Sequence, residues 1–576
     1  MAQSSFGPSH AFSNTEIKYP STFEQLDYVN TQAPKTGTIR LASQGSFNNL
    51  NPFIISGVQA SGLNWSYETL GVNTFDEDNT IYGLIAETFA YDKENKTFTV
   101  KLREEVKFND QTKVTAADVS YTFNTLVQKG HPVYKQIFTN IEAVETPSSD
   151  TVIFKIKTSN QSQDLIFNIA KLPVLSKADL EKRDFEKTTL KPLLTTGPYQ
   201  ISDFQIGQKI NYTRNENYWG KHLPINRGRN NFKNILYKYF KDQNIALTAF
   251  KAHRYDWRSE NIAKFWKTQY QGDEFEQGLI KIETIKNKNP NVMQAFAMNL
   301  RTPPFNDITV RKALNLAFNF EWLNQNLFYD TYIRSQSFFP SSPFTASEPI
   351  SLVESQILEP YKHSLPQELW QDPFKFEKKL SHEKLVEAQT LLDASDWKLQ
   401  GKKRVNQKTG QPLRFTLLLN SPSMKRIALP YQKELKKIGI NMEIQLISPS
   451  DWIARIKKFD FDMTTFTWSV SSNPGSQPYL YWHSSQASIL GSNNIIGLDN
   501  PVIDDITTQI KNTENFQKRT AQMQALDRVL MWNYTVIPHW YIDYDRVAYW
   551  TCISPPKKHP GYGIDLASWY TKSSCD

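Results

Sequence analysis

Hydrophobic positions between residues 413 and 446 change their period twice. Leu413, Phe415, Leu417 and Leu419 alternate with their neighbours, which is the two-residue period of a strand. Leu429, Tyr431 and Leu435 then fall on a helical segment that carries Lys436 and Lys437 in its last turn, where cations suit the helix dipole. Gly439 stands where a helix stops. Ile440, Met442, Ile444 and Leu446 alternate again. Strand, helix and strand in so short a span predict a βαβ unit with parallel pairing.

Other stretches are nearly as clear. Val310, Leu314, Ala317, Phe318 and Trp322 recur at helical spacing behind Pro303, Pro304 and the N-cap candidate Asp307. Leu385, Ala388 and Leu392 predict another helix that ends before Asp396-Trp397. Earlier in the chain, Phe98, Val100 and Leu102 alternate as a strand, and Val106-Lys107-Phe108 is short and extended. Asn109-Asp110 makes a turn before a helix that starts at Ala116. Helices and strands mix throughout, so the pattern predicts an α/β fold with a parallel sheet. There is no internal repeat and no low-complexity segment.

Composition sets limits on this picture. The chain has 576 residues, of which 39% are hydrophobic and 22% charged, a globular balance for several domains or lobes. No run of apolar residues is long enough to span a bilayer. Lys and Arg number 66 against 58 Asp and Glu, a net charge of +8. That excess does not gather along the sequence. Its densest cluster, Lys402-Lys403-Arg404 with Lys398 and Lys408 nearby, reads as a short loop, so no nucleic-acid partner is expected. The opening MAQSSFGPSH has neither a basic nor an apolar signal region. A cytosolic protein and a mature exported one both fit that start, and no N-terminal cysteine offers a lipid anchor. The two cysteines, Cys552 and Cys575, lie close together near the C-terminus. They predict a disulfide and an oxidising compartment, the alternative being two free thiols. Closing that loop stabilises by about 3 kcal/mol in the chain-entropy view.

Catalytic and metal signatures are missing. The histidines are scattered, and His382-Glu383 begins an HExxH motif that fails at Val386. There is no nucleophile elbow and no phosphate loop. Acidic pairs such as Asp460/Asp462 are more often turns or caps than glycosidase carboxylates. No cofactor and no metal are expected. The aromatic content is the unusual feature, with 14 Trp, 26 Tyr and 35 Phe. Several stand beside small polar residues: Phe47-Asn48-Asn49, Asn64-Trp65, Trp468-Ser469 and His539-Trp540-Tyr541. Rigid contact area next to short hydrogen-bonding groups suits a ligand cleft, though core packing uses the same rings.

Certain segments carry a resemblance. Ile39-Arg40-Leu41 with Ser46-Phe47-Asn48-Asn49-Leu50-Asn51-Pro52 is similar to the opening of the family 5 solute-binding proteins of ABC importers. Leu102-Arg103 through Phe108-Asn109-Asp110 to Val114-Thr115-Ala116-Ala117-Asp118-Val119 resembles the signature of that family. Thr196-Gly197-Pro198-Tyr199, Asn217-Tyr218-Trp219 and Phe305-Asn306-Asp307 with Val310-Arg311-Lys312-Ala313-Leu314 resemble its later landmarks. The stretches FEQLDYVNTQAPK (Phe23 to Lys35), NYWGKHLPINRGRNNF (Asn217 to Phe232), LAFNFEW (Leu316 to Trp322), RVNQKTGQP (Arg404 to Pro412) and ALDRVLMWNY (Ala525 to Tyr534) are similar to one subgroup, the binders of peptides and of microcin C-like peptide antibiotics. The resemblance runs in order along nearly the whole chain.

It implies a two-lobed periplasmic-binding-protein type II (cluster C) fold with an extra subdomain and a hinge between lobes. The expected divisions are 1–60 for the first part of lobe I, 61–185 for the subdomain, 186–295 for the second part of lobe I, 296–535 for lobe II, and 536–576 for the return to lobe I. The crossings fall near Gln294–Asn299 and Tyr534–Pro538. The implied function is binding without catalysis: a monomer in the periplasm, its signal peptide removed, takes a peptide ligand to an inner-membrane ABC permease and its ATPase subunits. A non-peptide solute on the same fold (sugar, opine, haem or metal chelate) is the alternative, because sites are grafted on folds.

The resemblance also implies site residues. In oligopeptide binders a Trp-x-x-Asp stretch lines the cleft, and its Asp holds the α-amino group of the peptide. The matching stretch here is Trp468-Ser469-Val470-Ser471, with Ser471 in place of the acid. That removes a charge-assisted bond of about 1.5–3 kcal/mol. A second cleft segment corresponds to Asp256-Trp257-Arg258-Ser259-Glu260-Asn261. Glu260 is the expected replacement anchor, unless Arg258 neutralises it. Trp540 and Tyr541 are expected to flank the ligand, Phe47, Asn48 and Asn49 to form a lip, and Asn64 and Trp65 to stand behind it.

Overall fold

The computed structural model describes residues 6–157, 163–376, 381–513 and 515–572. The chain forms two units, Met1–Lys288 with Tyr544–Asp576, and Asn289–Asp543.

The first unit is built on a seven-stranded sheet. Its order is Tyr199–Gln205, Lys209–Arg214, Asn234–Phe240, Thr38–Gln44, Trp257–Ser259, Tyr544–Trp550 and Ile280–Lys286. Thr38–Gln44 pairs parallel with both of its neighbours, and the other pairs are antiparallel. Ile39 and Leu41 alternate into a core with Tyr199, Ile210, Tyr212, Ile235 and Trp569. A second sheet in this unit runs Phe6–Ser9, Ala86–Asp92, Thr97–Leu102, Thr151–Ile156 and Ile141–Ser148, all antiparallel. Phe98, Val100 and Leu102 point into its separate core, as their alternation predicts. Helix Ala116–Lys129 covers that core with Val119, Phe123 and Leu126. The amide and hydroxyl of Thr115 both donate to the Asp118 carboxylate, at 2.9 and 2.8 Å, which fixes the start of the helix. Asp118 also accepts the Lys177 amide at 2.9 Å and so ties the helix to the start of the short helix Lys177–Leu180.

The second unit holds a five-stranded sheet in the order Asn441–Leu446, Arg414–Leu419, Met463–Trp468, Met293–Met298 and Val536–Pro538. The expected βαβ unit is Arg414–Leu419, helix Pro422–Lys437 and Asn441–Leu446, with parallel pairing from Arg414 opposite Asn441. Gly439 takes a φ of 83°, the left-handed conformation that ends the helix without a Cβ clash. Two details differ from the pattern. Leu429 is exposed while Ile427, Ala428, Tyr431 and Leu435 face inward. Leu446 is also exposed, because its strand is the edge of the sheet and half of it has nothing to pack against.

Both large sheets are mixed rather than parallel, because Tyr544–Trp550 and Met293–Met298 run antiparallel to their neighbours. The helix expected from Val310 to Trp322 is two helices, Ile308–Leu316 and Phe320–Phe328. Asp307 caps the first by accepting the Thr309 amide at 2.8 Å, and Asn319 caps the second by accepting the Trp322 amide at 3.1 Å. The chain passes between units at 288/289 and 543/544. Gln294–Asn299 and Tyr534–Pro538, where the crossings were expected, are strand segments of the second unit, paired from Ala295 opposite Pro538 to Ala297 opposite Val536. Arg404 is not part of a solvated loop. It lies on strand Lys403–Asn406, almost fully buried, and donates to the Asp393 carboxylate and to the carbonyls of Trp397 and Ile438. Cys552 is disulfide-bonded, and its expected partner Cys575 lies outside the described residues.

Asp118→Ala removes one acceptor from three donors, so it is expected to destabilise the first unit by about 2–3 kcal/mol. The urea midpoint followed by far-UV circular dichroism measures this. Asp118→Asn keeps an acceptor and should lose less than half as much.

Candidate functional site

Strand Met463–Trp468 delivers the Trp468 segment. It pairs antiparallel with Met293–Met298, which places Trp468 opposite Met293. Trp468 is 1% exposed and packs against Phe338 and Phe466 at ring separations of 5.7 and 4.9 Å. It is therefore a core residue of the second unit, not a surface for a ligand. Ser469 and Ser471 are exposed and Val470 is half-buried. The Gln477 side chain pairs with this segment. Its Oε1 accepts the Ser471 amide at 3.0 Å and its Nε2 lies 3.4 Å from the Ser469 carbonyl, which also accepts the Tyr481 hydroxyl at 3.2 Å. One amide bonded to the carbonyl of residue i and the N–H of residue i+2 reproduces what a neighbouring strand does in a parallel ladder.

Trp540 and Tyr541 are half-buried and form a two-residue strand paired with Ile333–Arg334, with Arg334 opposite Trp540. Trp540 packs on Phe328 at 4.5 Å and on His539 at 5.0 Å. Nothing local in the sequence marks Arg334, yet it is the strongest electrostatic feature of this region. It is 7% exposed, while Ile333 beside it is 44% exposed. Its guanidinium stacks 3.5 Å from the centre of the Phe376 ring. Its Nε and Nη2 are enclosed without a hydrogen-bond partner among the described residues. Burial pulls its pKa down to about 10, which leaves it charged at neutral pH. Nearby His539 is pushed down to about 3 by burial and by Arg334, so it is neutral and offers no negative partner.

The first unit presents the other predicted residues, and most are committed to structure. Arg258 and Glu260 are 6% and 3% exposed. Arg258 donates from Nε and Nη2 to Glu260 Oε2 at 3.0 and 2.8 Å, and to the Tyr255 hydroxyl at 2.9 Å. The Tyr270 hydroxyl donates to Glu260 at 2.8 Å, and Glu260 Oε1 accepts the Ile262 amide at 2.8 Å. Glu260 is thus neutralised by Arg258 and enclosed, which removes it as an anchor for a ligand amine. Asn261 is exposed beside it. Phe47, expected on a lip, is 1% exposed in the core against Tyr239 at 5.2 Å. Asn49 is fully buried and pins its own loop. It donates to the carbonyls of Asn51 and Ser56 and accepts the amides of Asn51 and Thr189. Asn48 is exposed and accepts the Val58 amide at 2.7 Å. Asn64 is exposed, and half-buried Trp65 donates to the Tyr237 hydroxyl at 3.1 Å.

Residues 80–489 match the profile "Bacterial extracellular solute-binding proteins, family 5 Middle". The chain belongs to this family. Among family 5 relatives, "Probable peptide-binding protein YejA" of Agrobacterium fabrum is 35% identical over 570 residues, which is 96% of this chain and 92% of the relative. The oligopeptide-binding protein AppA of Bacillus subtilis, solved with a nonapeptide, has a TM-score of 0.67 at 21% identity over 94% of this chain and 100% of its own. NikA of Brucella suis, solved with Fe(III)-EDTA, has a TM-score of 0.71 at 19% identity over 92% of this chain and 100% of its own. These two structures establish the shared α/β fold of family 5.

The two buried arginines give opposite expectations. Arg258→Ala leaves Glu260 buried and unpaired, and is expected to cost about 3–5 kcal/mol. Arg334→Met replaces a guanidinium that has no hydrogen-bonded carboxylate among the described residues with an apolar chain of similar length, and is expected to raise the stability of the ligand-free protein by about 1–3 kcal/mol. Chemical denaturation of both variants measures this. A loss for Arg334→Met as large as that for Arg258→Ala would mean that Arg334 is compensated.

Proposed function

We propose that this protein captures oligopeptides in the periplasm and hands them, as a monomer, to an inner-membrane ABC permease with its ATPase subunits. The observation that carries this reading is the likeness to "Probable peptide-binding protein YejA" of Agrobacterium fabrum along 96% of the chain. Binding is the whole activity, and microcin C-like peptide antibiotics fall within the same ligand class. Two features of the second unit support a peptide. The Ser469–Ser471 backbone is held by the side chains of Gln477 and Tyr481, which a peptide main chain can replace bond for bond. Main-chain bonding ignores side-chain identity and so tolerates many sequences. Arg334 supplies a positive charge suited to a terminal carboxylate.

The direct test is mass spectrometry of the purified protein, native and then denatured. A mixture of short peptides is expected, and a single non-peptide species would overturn the reading. Peptide termini give a sharper test by calorimetry. Arg334→Met should weaken a peptide with a free C-terminus by about tenfold or more, the value of one charge-assisted bond, and should leave the C-terminal amide unaffected. Because Ser471 is uncharged and Glu260 is paired, N-acetylation should change affinity by less than about threefold, well short of the worth of such a bond. A larger loss would point to another carboxylate as the anchor.

A further inference from the structure

The positive charge that is scattered along the sequence gathers in one place in the first unit. Lys35 precedes strand Thr38–Gln44, Arg214 ends strand Lys209–Arg214, and Lys221, His222 and Arg229 follow in the next loop. Together with Glu216 they line a cavity of about 270 Å³. Its basic residues come from the two stretches, 23–35 and 217–232, that are similar to one subgroup in sequence, together with Arg214 just before the second.

The arginines are held in different ways. Arg214 Nη1 donates to the Asn231 carbonyl at 3.1 Å, and Nη2 donates to the Lys35 carbonyl at 2.9 Å. Neutral acceptors fix a guanidinium without cancelling its charge. Its one carboxylate partner, Glu216 at 2.9 Å, is 69% exposed and screened by water. Arg229 is different, since the buried Asp565 carboxylate neutralises it at 2.7 Å. The Lys35 ammonium donates to the Arg229 carbonyl, and the Lys221 ammonium to the Glu216 carbonyl at 3.1 Å. Four cations therefore face Glu216 at the rim and Asp565 behind, and positive charge is left over. Lys35 registers that field. Although its side chain is exposed, partial desolvation and the repulsion of Arg214 and Arg229 push it down to about 8, against a smaller opposing pull from Glu216. Behind the cavity wall, the Tyr218 hydroxyl donates to Glu68 at 2.6 Å, and burial raises that carboxyl to about 7.

We infer that this cavity of the first unit is an oxyanion site that takes a phosphate or sulfate group. A cavity at the lower edge of the usual range of about 300–1,000 Å³ for small-molecule sites has room for a hydrated oxyanion or a headgroup rather than a peptide. The group comes either from a free ion or from an anionic lipid headgroup. An anion beside Lys35 stabilises its charged form and raises its pKa. Below about pH 8 Lys35 is already charged and contributes no pH dependence of its own. Above about pH 8 the free protein loses that proton and affinity falls by up to about tenfold per pH unit.

Sulfate is the probe, because its charge is constant over this range. Calorimetry on the full chain at low ionic strength should show sulfate binding at millimolar concentration, weakened by added chloride and by a rise in pH from 7 to 9. Lys35→Gln and Lys221→Gln should each weaken sulfate and leave peptide affinity unchanged. Lys35 and Lys221 are both exposed, so each variant reports independently on the site. Co-sedimentation with phosphatidylglycerol vesicles, absent with phosphatidylcholine and lost in both variants, would assign the group to lipid. Sulfate binding without co-sedimentation would assign it to a soluble ion. No sulfate binding, or binding unchanged in both variants, overturns the site whether or not the protein binds peptides.

Discussion

Strand Tyr544–Trp550 is the constraint on which the first unit depends. It lies between Trp257–Ser259 and Ile280–Lys286 and runs antiparallel to both. Val547 and Tyr549 enter one hydrophobic core, while Ala548 and Trp550 enter another. A slip of one residue would exchange the two sets and empty both cores. The whole of Asn289–Asp543 separates this strand in sequence from its neighbour Ile280–Lys286. The second unit is thus an insertion within an antiparallel pair, and its own first and last strands, Met293–Met298 and Val536–Pro538, are also neighbours. Such non-local pairing makes folding slow but fixes the register of everything attached. Arg258, opposite Ala548, owes its place to this strand, and the disulfide-bonded Cys552 follows two residues after it.

Buried charge separates structural residues from functional ones more sharply than aromatic content does. Arg258 with Glu260, Arg528 with Glu354 and Arg404 with Asp393 each meet a carboxylate. Arg311 meets none but donates to the carbonyls of Phe305 and Asn533. All four are explained by the fold alone. Arg334 is stacked on Phe376, and two of its nitrogens are enclosed without a hydrogen-bond partner among the described residues. Burying a charge without a hydrogen-bonded carboxylate is expensive, which is why Arg334 carries weight in the proposed reading.

Part of this was legible in the sequence and part was not. The βαβ unit at 413–446 and the strand at Thr97–Leu102 followed from period alone, because each buries one face against one core. The helix break at Ala317–Asn319 was hidden, since the apolar spacing continues through it and only the Asn319 cap reveals a new start. Phe47 and Trp468 were misplaced for a plain reason. A ring beside Asn or Ser serves a core and a cleft equally well, and the neighbouring polar groups proved to be loop ties such as Asn49. Arg334 was invisible because the Ile333-Arg334 pair inverts the ordinary rule, with the isoleucine outside and the arginine inside. The cationic cavity was missed because Lys35 and Arg214 are distant in sequence and meet only through the parallel pairing of Thr38–Gln44 with Asn234–Phe240.

These placements bear on how a peptide would be read. With Ser471 uncharged and Glu260 closed against Arg258, neither residue can attract a ligand amine. The charge that survives near Trp540 is positive. Recognition on the proposed reading therefore shifts from the amino end of a peptide to its carboxyl end, with the Ser469–Ser471 backbone as a register-free contact for what lies between. Gln477 sets the strength of that contact. A peptide gains only the difference between its own main-chain bonds and the side-chain bonds it displaces, because the segment is already satisfied before the ligand arrives. A binder built this way gains little from any single side chain. Its discrimination rests on the terminal charge and on fit, which suits a receptor for peptides of many sequences.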